Sequence, residues 1–108
     1  MDYRLEQFRF ELREDPSSRS FFKLGECLRR EDELDEAVQT LRAGLKLHPG
    51  YIAAWVSLGR ALLAGGKNIG AAEALARFAP GHARELLEQI ITDLRAHADR
   101  QVESYSRI

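Results

Sequence analysis

The sequence has one cysteine, three prolines and no long uninterrupted apolar run. Each shortage excludes something. The single thiol, Cys27, cannot close an internal disulfide. That removes the small disulfide-stapled folds and fits a reducing compartment or indifference to redox. No stretch approaches the roughly 18 apolar residues of a membrane-spanning helix, so no membrane partner is expected. Neither charge sign dominates: 16 Lys and Arg stand against 17 Asp and Glu, and the signs interleave. A net charge of −1 gives no overall field to draw in nucleic acid. The opening MDYRLEQFRFELRED is charged throughout and lacks the apolar stretch of a secretion signal, which makes the cytoplasm the expected location. Phosphate-cradling and nucleophile-elbow motifs are missing as well: there is no G-x-x-x-x-G-K and no G-x-S-x-G.

What is present is helical periodicity broken by proline and glycine. The joints are Asp15-Pro16-Ser17-Ser18, His48-Pro49-Gly50, Gly65-Gly66-Lys67-Asn68 and Ala79-Pro80-Gly81. Between them apolar residues recur at helical spacing. Leu5, Phe8 and Leu12 share a face, as do Phe21, Leu24 and Leu28, and then Leu34, Val38, Leu41 and Leu45. Trp55, Leu58 and Leu62 follow, then Leu75 and Phe78, and finally Ala83, Leu87, Ile90, Leu94, Ala98 and Val102. No segment alternates with period two for long enough to make a strand. The expectation is an all-α chain of six helices over about 2–15, 18–30, 33–47, 52–64, 68–79 and 81–105.

Two of these segments carry glycine at matching places. FFKLGECL at 21–28 becomes WVSLGRAL at 55–62, a shift of 34 residues. The same shift sets Phe21 on Trp55, Leu24 on Leu58, Gly25 on Gly59, Leu28 on Leu62, Ala37 on Ala71 and Leu41 on Leu75. Glycine in a helix interior costs about 1 kcal/mol relative to alanine. Its recurrence at one period implies a place where helices cross and backbones approach closely, with Ala37 and Ala71 as the small facing surface.

A 34-residue helix–turn–helix period with W-x2-L-G-x2-Y, A-x3-F and a closing proline is the tetratricopeptide signature. Here the units read F-x2-L-G-x2-L, A-x3-L, Pro49 and W-x2-L-G-x2-L, A-x3-L. The chain resembles the tetratricopeptide repeat family over about residues 18–79. The resemblance implies a right-handed α-α superhelix, a solenoid of about six helices closed by a long C-terminal capping helix. One domain, 1–108, would then hold a half-repeat (1–17), a first repeat (18–51), a short second repeat (52–79) and the cap (80–108). The first segment matches a lone second helix, with Leu5 on Val38, Phe8 on Leu41 and Leu12 on Leu45. Pro80 comes three residues before the position, 83, that the period assigns to the second closing proline.

The residues that carry chemistry elsewhere do not assemble into a site by spacing. His48, His82 and His97 lie in three segments without ligand spacing and read as surface residues. Cys27 sits beside a core position with no His partner, so it reads as a small packed hydrophobe. Glu31, Asp32, Glu33, Asp35 and Glu36 are the acidic start of a helix rather than a calcium loop. No catalytic residue, metal or cofactor is expected, and the chain does not read as an enzyme.

The family resemblance places function on the concave surface made by the first helix of each repeat, where a protein or peptide partner docks. By register the groove residues are Arg19, Phe22, Lys23, Glu26, Arg29 and Arg30 in the first unit. Ala53, Val56, Ser57, Arg60 and Leu63 follow in the second. Five are basic, one is acidic, and three are sizeable apolar side chains, which suits an amphipathic or acidic peptide. Phe22 and Glu26 replace the Lys and Asn with which the family's best-known groove clamps a C-terminal carboxylate, so that ligand is not expected. A second reading rests on the final helix, whose stripe continues past Leu94 to Ala98, Val102 and Tyr105. It makes the chain a homo-oligomeric scaffold, such as a homodimer, assembled through that helix.

Overall fold

The computed structural model describes residues 3–64 and 68–106, with side chains up to residue 100. Six helices follow one another: α1 (Tyr3–Glu14), α2 (Ser20–Arg30), α3 (Leu34–Leu47), α4 (Ile52–Leu63), α5 (Ile69–Phe78) and α6 (Gly81–Ser106). There is no strand among the described residues. Each bound lies within about two residues of the punctuation read from the sequence, because proline and turn residues leave little choice of where a helix stops. The Gly65-Gly66-Lys67 turn lies outside the described residues.

Consecutive helices pack against each other, and α2 also touches α4, as α4 touches α6. So α2, α4 and α6 form one layer while α3 and α5 form a second behind it, with α1 against α2. The result is an all-α solenoid, 16 Å thick in its thinnest direction and 56 Å long.

The α2–α3 corner shows how local chemistry sets this path. Asp32 is left-handed (φ 63°). The Asp32 N–H donates to the Arg29 carbonyl at 3.1 Å and that of Glu33 to the Leu28 carbonyl at 2.9 Å. This pair of bonds satisfies carbonyls that the helix end would leave bare and reverses the chain. The acidic cluster then enters α3, with Asp35 and Glu36 in its first turn. Glu36 also takes two hydrogen bonds from Arg9 of α1, at 2.8 and 3.2 Å, which ties the first helix to α3.

Two apolar clusters hold the layers together. Leu5, Leu24, Leu28, Ala37 and Ala61 form the first, with Cys27 packed on it. The second runs from Phe21, Leu41 and Leu45 through Leu58 and Leu62 to Ala83, Leu87 and Ile91. Phe21 is fully enclosed. Its ring stacks on His48 at 5.7 Å and meets Tyr51 edge-on at 5.4 Å. A ring nitrogen of His48 lies 2.6 Å from the Ser17 carbonyl. His48 is therefore a half-buried structural residue rather than a bare surface one.

The structure corrects three packing expectations. A Cβ on Gly25 would meet Leu41 at 2.6 Å, so the close approach is to that leucine and not to Ala37. A Cβ on Gly59 would run into Leu87 of α6, while Leu75 stands 3.9 Å away. The second crossing is thus filled from α6. The third concerns α5, which buries Ala72 and Ala76, followed by Ala79, instead of the Leu75–Phe78 face; Phe78 is 80% exposed. Small side chains there let α6 come close, and Pro80 explains why it arrives early. Proline forces Ala79 into extended backbone (ψ 142°), ending α5 after ten residues. Gly81 (φ 30°) takes the turn into α6, a conformation that side chains disfavour.

Arg84 reaches back from α6 to the Ala76 carbonyl at 3.1 Å and the Arg77 carbonyl at 2.5 Å, supplying the cap that α5 lacks. Arg95 pairs with Glu73 farther along. The buried stripe of α6 is Ala83, Leu87 and Ile91, with Ile90 and Leu94 half-buried, and Ala98 is exposed. The side chains of Val102 and Tyr105 lie outside the described ones.

Candidate peptide-binding groove

The layer of α2, α4 and α6 presents an open trough. One part, about 450 Å³, is lined by Phe22 and Glu26 of α2, by Ile52, Ala53, Val56, Ser57 and Arg60 of α4, and by Leu86 of α6. A second part, about 470 Å³, shares Ile52 and Ala53 and continues to Arg19, His48, Gly50 and Tyr51. Between them the Phe22 and Tyr51 rings meet at 5.3 Å. The helical register explains the lining. Residues one position past the core set, as Phe22 follows Phe21 and Val56 follows Trp55, fall on the neighbouring face.

Of the eleven residues assigned to the groove from sequence, Arg19, Phe22, Glu26, Ala53, Val56, Ser57 and Arg60 line this trough. Lys23 and Arg30 are exposed on α2 but do not line it, and Arg29 is half-buried beside Glu26. Leu63 is corrected: it is only 6% exposed and belongs to the core. It lies one position past Leu62 in the last turn of α4, where the apolar cluster surrounds the helix on more than one side.

Glu26 organises the floor. It accepts hydrogen bonds from Arg29 at 2.9 and 3.3 Å and from the Ser57 hydroxyl at 2.5 Å, with Arg30 at 3.8 Å. Burial alone pushes the Glu26 carboxyl up, but the Arg29 and Ser57 hydrogen bonds, together with the charges of Arg29 and Arg30, hold it below its ordinary value. Glu26 is therefore ionised and already satisfied, and it bridges α2 to α4 through Ser57, itself 2% exposed. Arg19, Lys23 and Arg60 have no ion-pair partner among the described residues. The trough offers an apolar floor, a neutralised carboxylate and uncommitted cations.

Tyr51, Ile52 and Leu86 were not singled out from the sequence. Ile52 and Tyr51 precede the repeat-matching positions of α4. Leu86 has no repeat equivalent and reaches the groove only because α6 starts early. Among the described residues no three His, Cys, Asp or Glu side chains gather into a metal-holding group. No helix there is long and apolar enough to cross a membrane.

Comparison with known proteins bears on one segment. Searches of curated proteins and of solved structures returned no match. Residues 18–61, which span α2, α3 and most of α4, match the family model described as tetratricopeptide repeat. With the 34-residue register and the layered helix pairs, that match makes residues 18–61 similar to the tetratricopeptide repeat family.

Proposed function

We propose that this chain is a non-catalytic adaptor that docks a segment of another protein along the trough of α2, α4 and the start of α6. Tetratricopeptide repeats generally mediate protein–protein interaction and are typically non-catalytic, which supports the broad reading. The observation that carries the finer one is the composition of the trough. Phe22, Ile52, Val56 and Leu86 give it an apolar floor. Arg19 and Arg60 stand on it without ion-pair partners among the described residues, while the one carboxylate, Glu26, is engaged by Arg29 and Ser57. An acidic, amphipathic segment fits: carboxylates meet the guanidinium forks and apolar side chains meet the floor. In this reading residues 1–17, 18–51, 52–79 and 80–108 act as half-repeat, first repeat, short second repeat and cap of one domain.

The test is selection of binding peptides from a random displayed library. Peptides selected on the wild-type chain should be enriched in Asp, Glu and bulky apolar residues. They should lose at least tenfold in affinity against the Phe22→Ala, Arg60→Glu double variant, with the helical signal unchanged, and should bind more weakly as salt rises. Peptides that bind the double variant as tightly as wild type would rule the trough out.

The alternative is a homo-oligomeric scaffold built through α6. That helix spans 26 residues, about 39 Å at 1.5 Å per residue, and residues 96–100 are exposed. Those exposed positions carry no large apolar side chain, so the trough is preferred. A light-scattering mass that doubles with concentration, and stays single when residues 99–108 are removed, would reverse that preference.

A further inference from the structure

A second cleft opens on the other side of α4. It measures about 360 Å³ and lies between α3, α4 and α5, walled by Leu45, Trp55, Leu58 and Leu75. Its rim carries Arg42 and Lys46. At about 100° per residue along a helix, Trp55 and Leu58 point roughly opposite to Ala53, Val56 and Arg60. The two depressions therefore share a helix but no face.

The cleft has a structural origin. In the first helix pair Leu41 lies on Gly25 and is fully buried. The matching Leu75 should lie on Gly59, but Leu87 fills that space from α6. Leu75 is left half-buried and becomes a wall. The opposite wall is fixed in advance: the Trp55 indole N–H donates to the Pro49 carbonyl at 2.8 Å, which holds the ring in place.

Charge at the rim is one-sided. Arg42 and Lys46 are one helical turn apart on α3, both exposed, and neither has an ion-pair partner among the described residues. No carboxylate lines the cleft.

We propose that this cleft is a second docking site, taking an acidic protein segment that inserts one bulky apolar side chain between Trp55 and Leu75 while its carboxylates meet Arg42 and Lys46. Charge complementarity selects the occupant, and a preformed wall lowers the ordering that binding requires. The site does not depend on the trough. It would let one small chain hold two segments at once.

Trp55 is the chain's single tryptophan and makes the test direct. The probe is a 12-residue peptide of Asp and Glu with one central phenylalanine and no tryptophan. Titrated into the wild-type chain, it should change Trp55 emission saturably. The same peptide with alanine at its centre should bind at least tenfold more weakly. Arg42→Glu with Lys46→Glu should weaken the phenylalanine peptide by at least tenfold. The milder Arg42→Ala with Lys46→Ala, which removes the two charges without reversing them, should weaken it three- to tenfold. Phe22→Ala with Arg60→Glu should leave the midpoint of the Trp55 emission change within twofold of wild type, because that emission reports the cleft and not the trough. Three results would overturn the proposal. One is an unchanged Trp55 emission at millimolar peptide. Another is loss of binding in the Phe22, Arg60 variant but not in the Arg42, Lys46 variants, which would put the peptide in the trough. The third is an emission change that follows protein concentration without peptide, which would put a second copy in the cleft.

Discussion

The α2–α3 pair and the α4–α5 pair start from the same pattern and end in different packing. In the first, Leu41 covers Gly25 and the ring of Phe21 lies against Gly44, so two side chains are clasped between two helices of one repeat. In the second, Gly59 is covered from a third helix, and the repeat's own leucine is pushed aside. Both pairs have the glycine and both have the leucine. The difference comes from outside the matched positions, from a proline three residues early and a run of alanines that lets α6 close in. A repeat register therefore states which residues are equivalent in sequence. Which of them touch depends on where the next element begins.

The largest test of that difference is truncation of the three leucines. Leu41 and Leu87 are fully buried, so Leu41→Ala and Leu87→Ala should each destabilise the chain by about 2–5 kcal/mol. Leu75→Ala, at the position equivalent to Leu41, should cost less, about 1–2 kcal/mol, because that side chain is only partly buried. Urea unfolding midpoints of the three variants decide this, and equal losses for Leu41 and Leu75 would restore a regular second repeat.

Next are the glycines. Gly44→Ala would press a methyl group onto the aromatic ring of Phe21, and Gly25→Ala onto both the branch carbon and the methyls of Leu41. Each should cost about 1–3 kcal/mol through overpacking. At Gly59 the obstacle is the terminal methyl of Leu87, which rotates more easily, and the loss should stay below about 1 kcal/mol. Thermal unfolding of the three variants side by side gives the ranking.

The spread in these expectations shows what the sequence made readable. Helix number, helix ends and the match of Phe21 to Trp55 follow from local rules: proline placement, turn chemistry and the 3.6-residue period. Seven groove residues were legible for the same reason, since a helical face is fixed once its core positions are known. Leu63 was misplaced because a helix packed on several sides has no free face at its end. Phe78 was misplaced because alanine carries little hydrophobic signal, yet Ala72, Ala76 and Ala79 make the contact that matters. Leu86 and the displaced Leu75 depend on the path of α6, which no local pattern records.

A smaller effect concerns the bridge between the two repeats. Ser57→Ala removes the hydroxyl that donates to Glu26 and should destabilise the chain by about 1 kcal/mol at neutral pH. Glu26 titrates below its ordinary value in the folded chain, so its contribution is present above that value, 4.5, and is lost as pH falls through the folded one. The gap between wild type and Ser57→Ala should therefore narrow as the pH is lowered from 6 to 3, measured by urea unfolding at each pH. A gap that widens on acidification would contradict the assigned bond.

The smallest effect lies at the α2–α3 corner. Asp32 holds a left-handed backbone, and the 34-residue shift sets Gly66, outside the described residues, opposite it. Asp32→Gly should raise stability by up to about 1 kcal/mol, since glycine adopts that conformation without the side-chain penalty. A lower melting temperature would show that Asp32 contributes more through its side chain than it loses through its backbone.

The central claim is that the face of α2, α4 and early α6 binds a protein segment. The most direct measurement is the map of backbone amide shifts in the labelled chain as the tightest selected peptide is added. The account predicts the largest changes at Phe22, Glu26, Ala53, Val56, Arg60 and Leu86, with little movement at Tyr3 or Phe10 of α1. Changes concentrated on α1 or on the outer side of α3 and α5, with Phe22, Val56 and Arg60 unmoved, would contradict it.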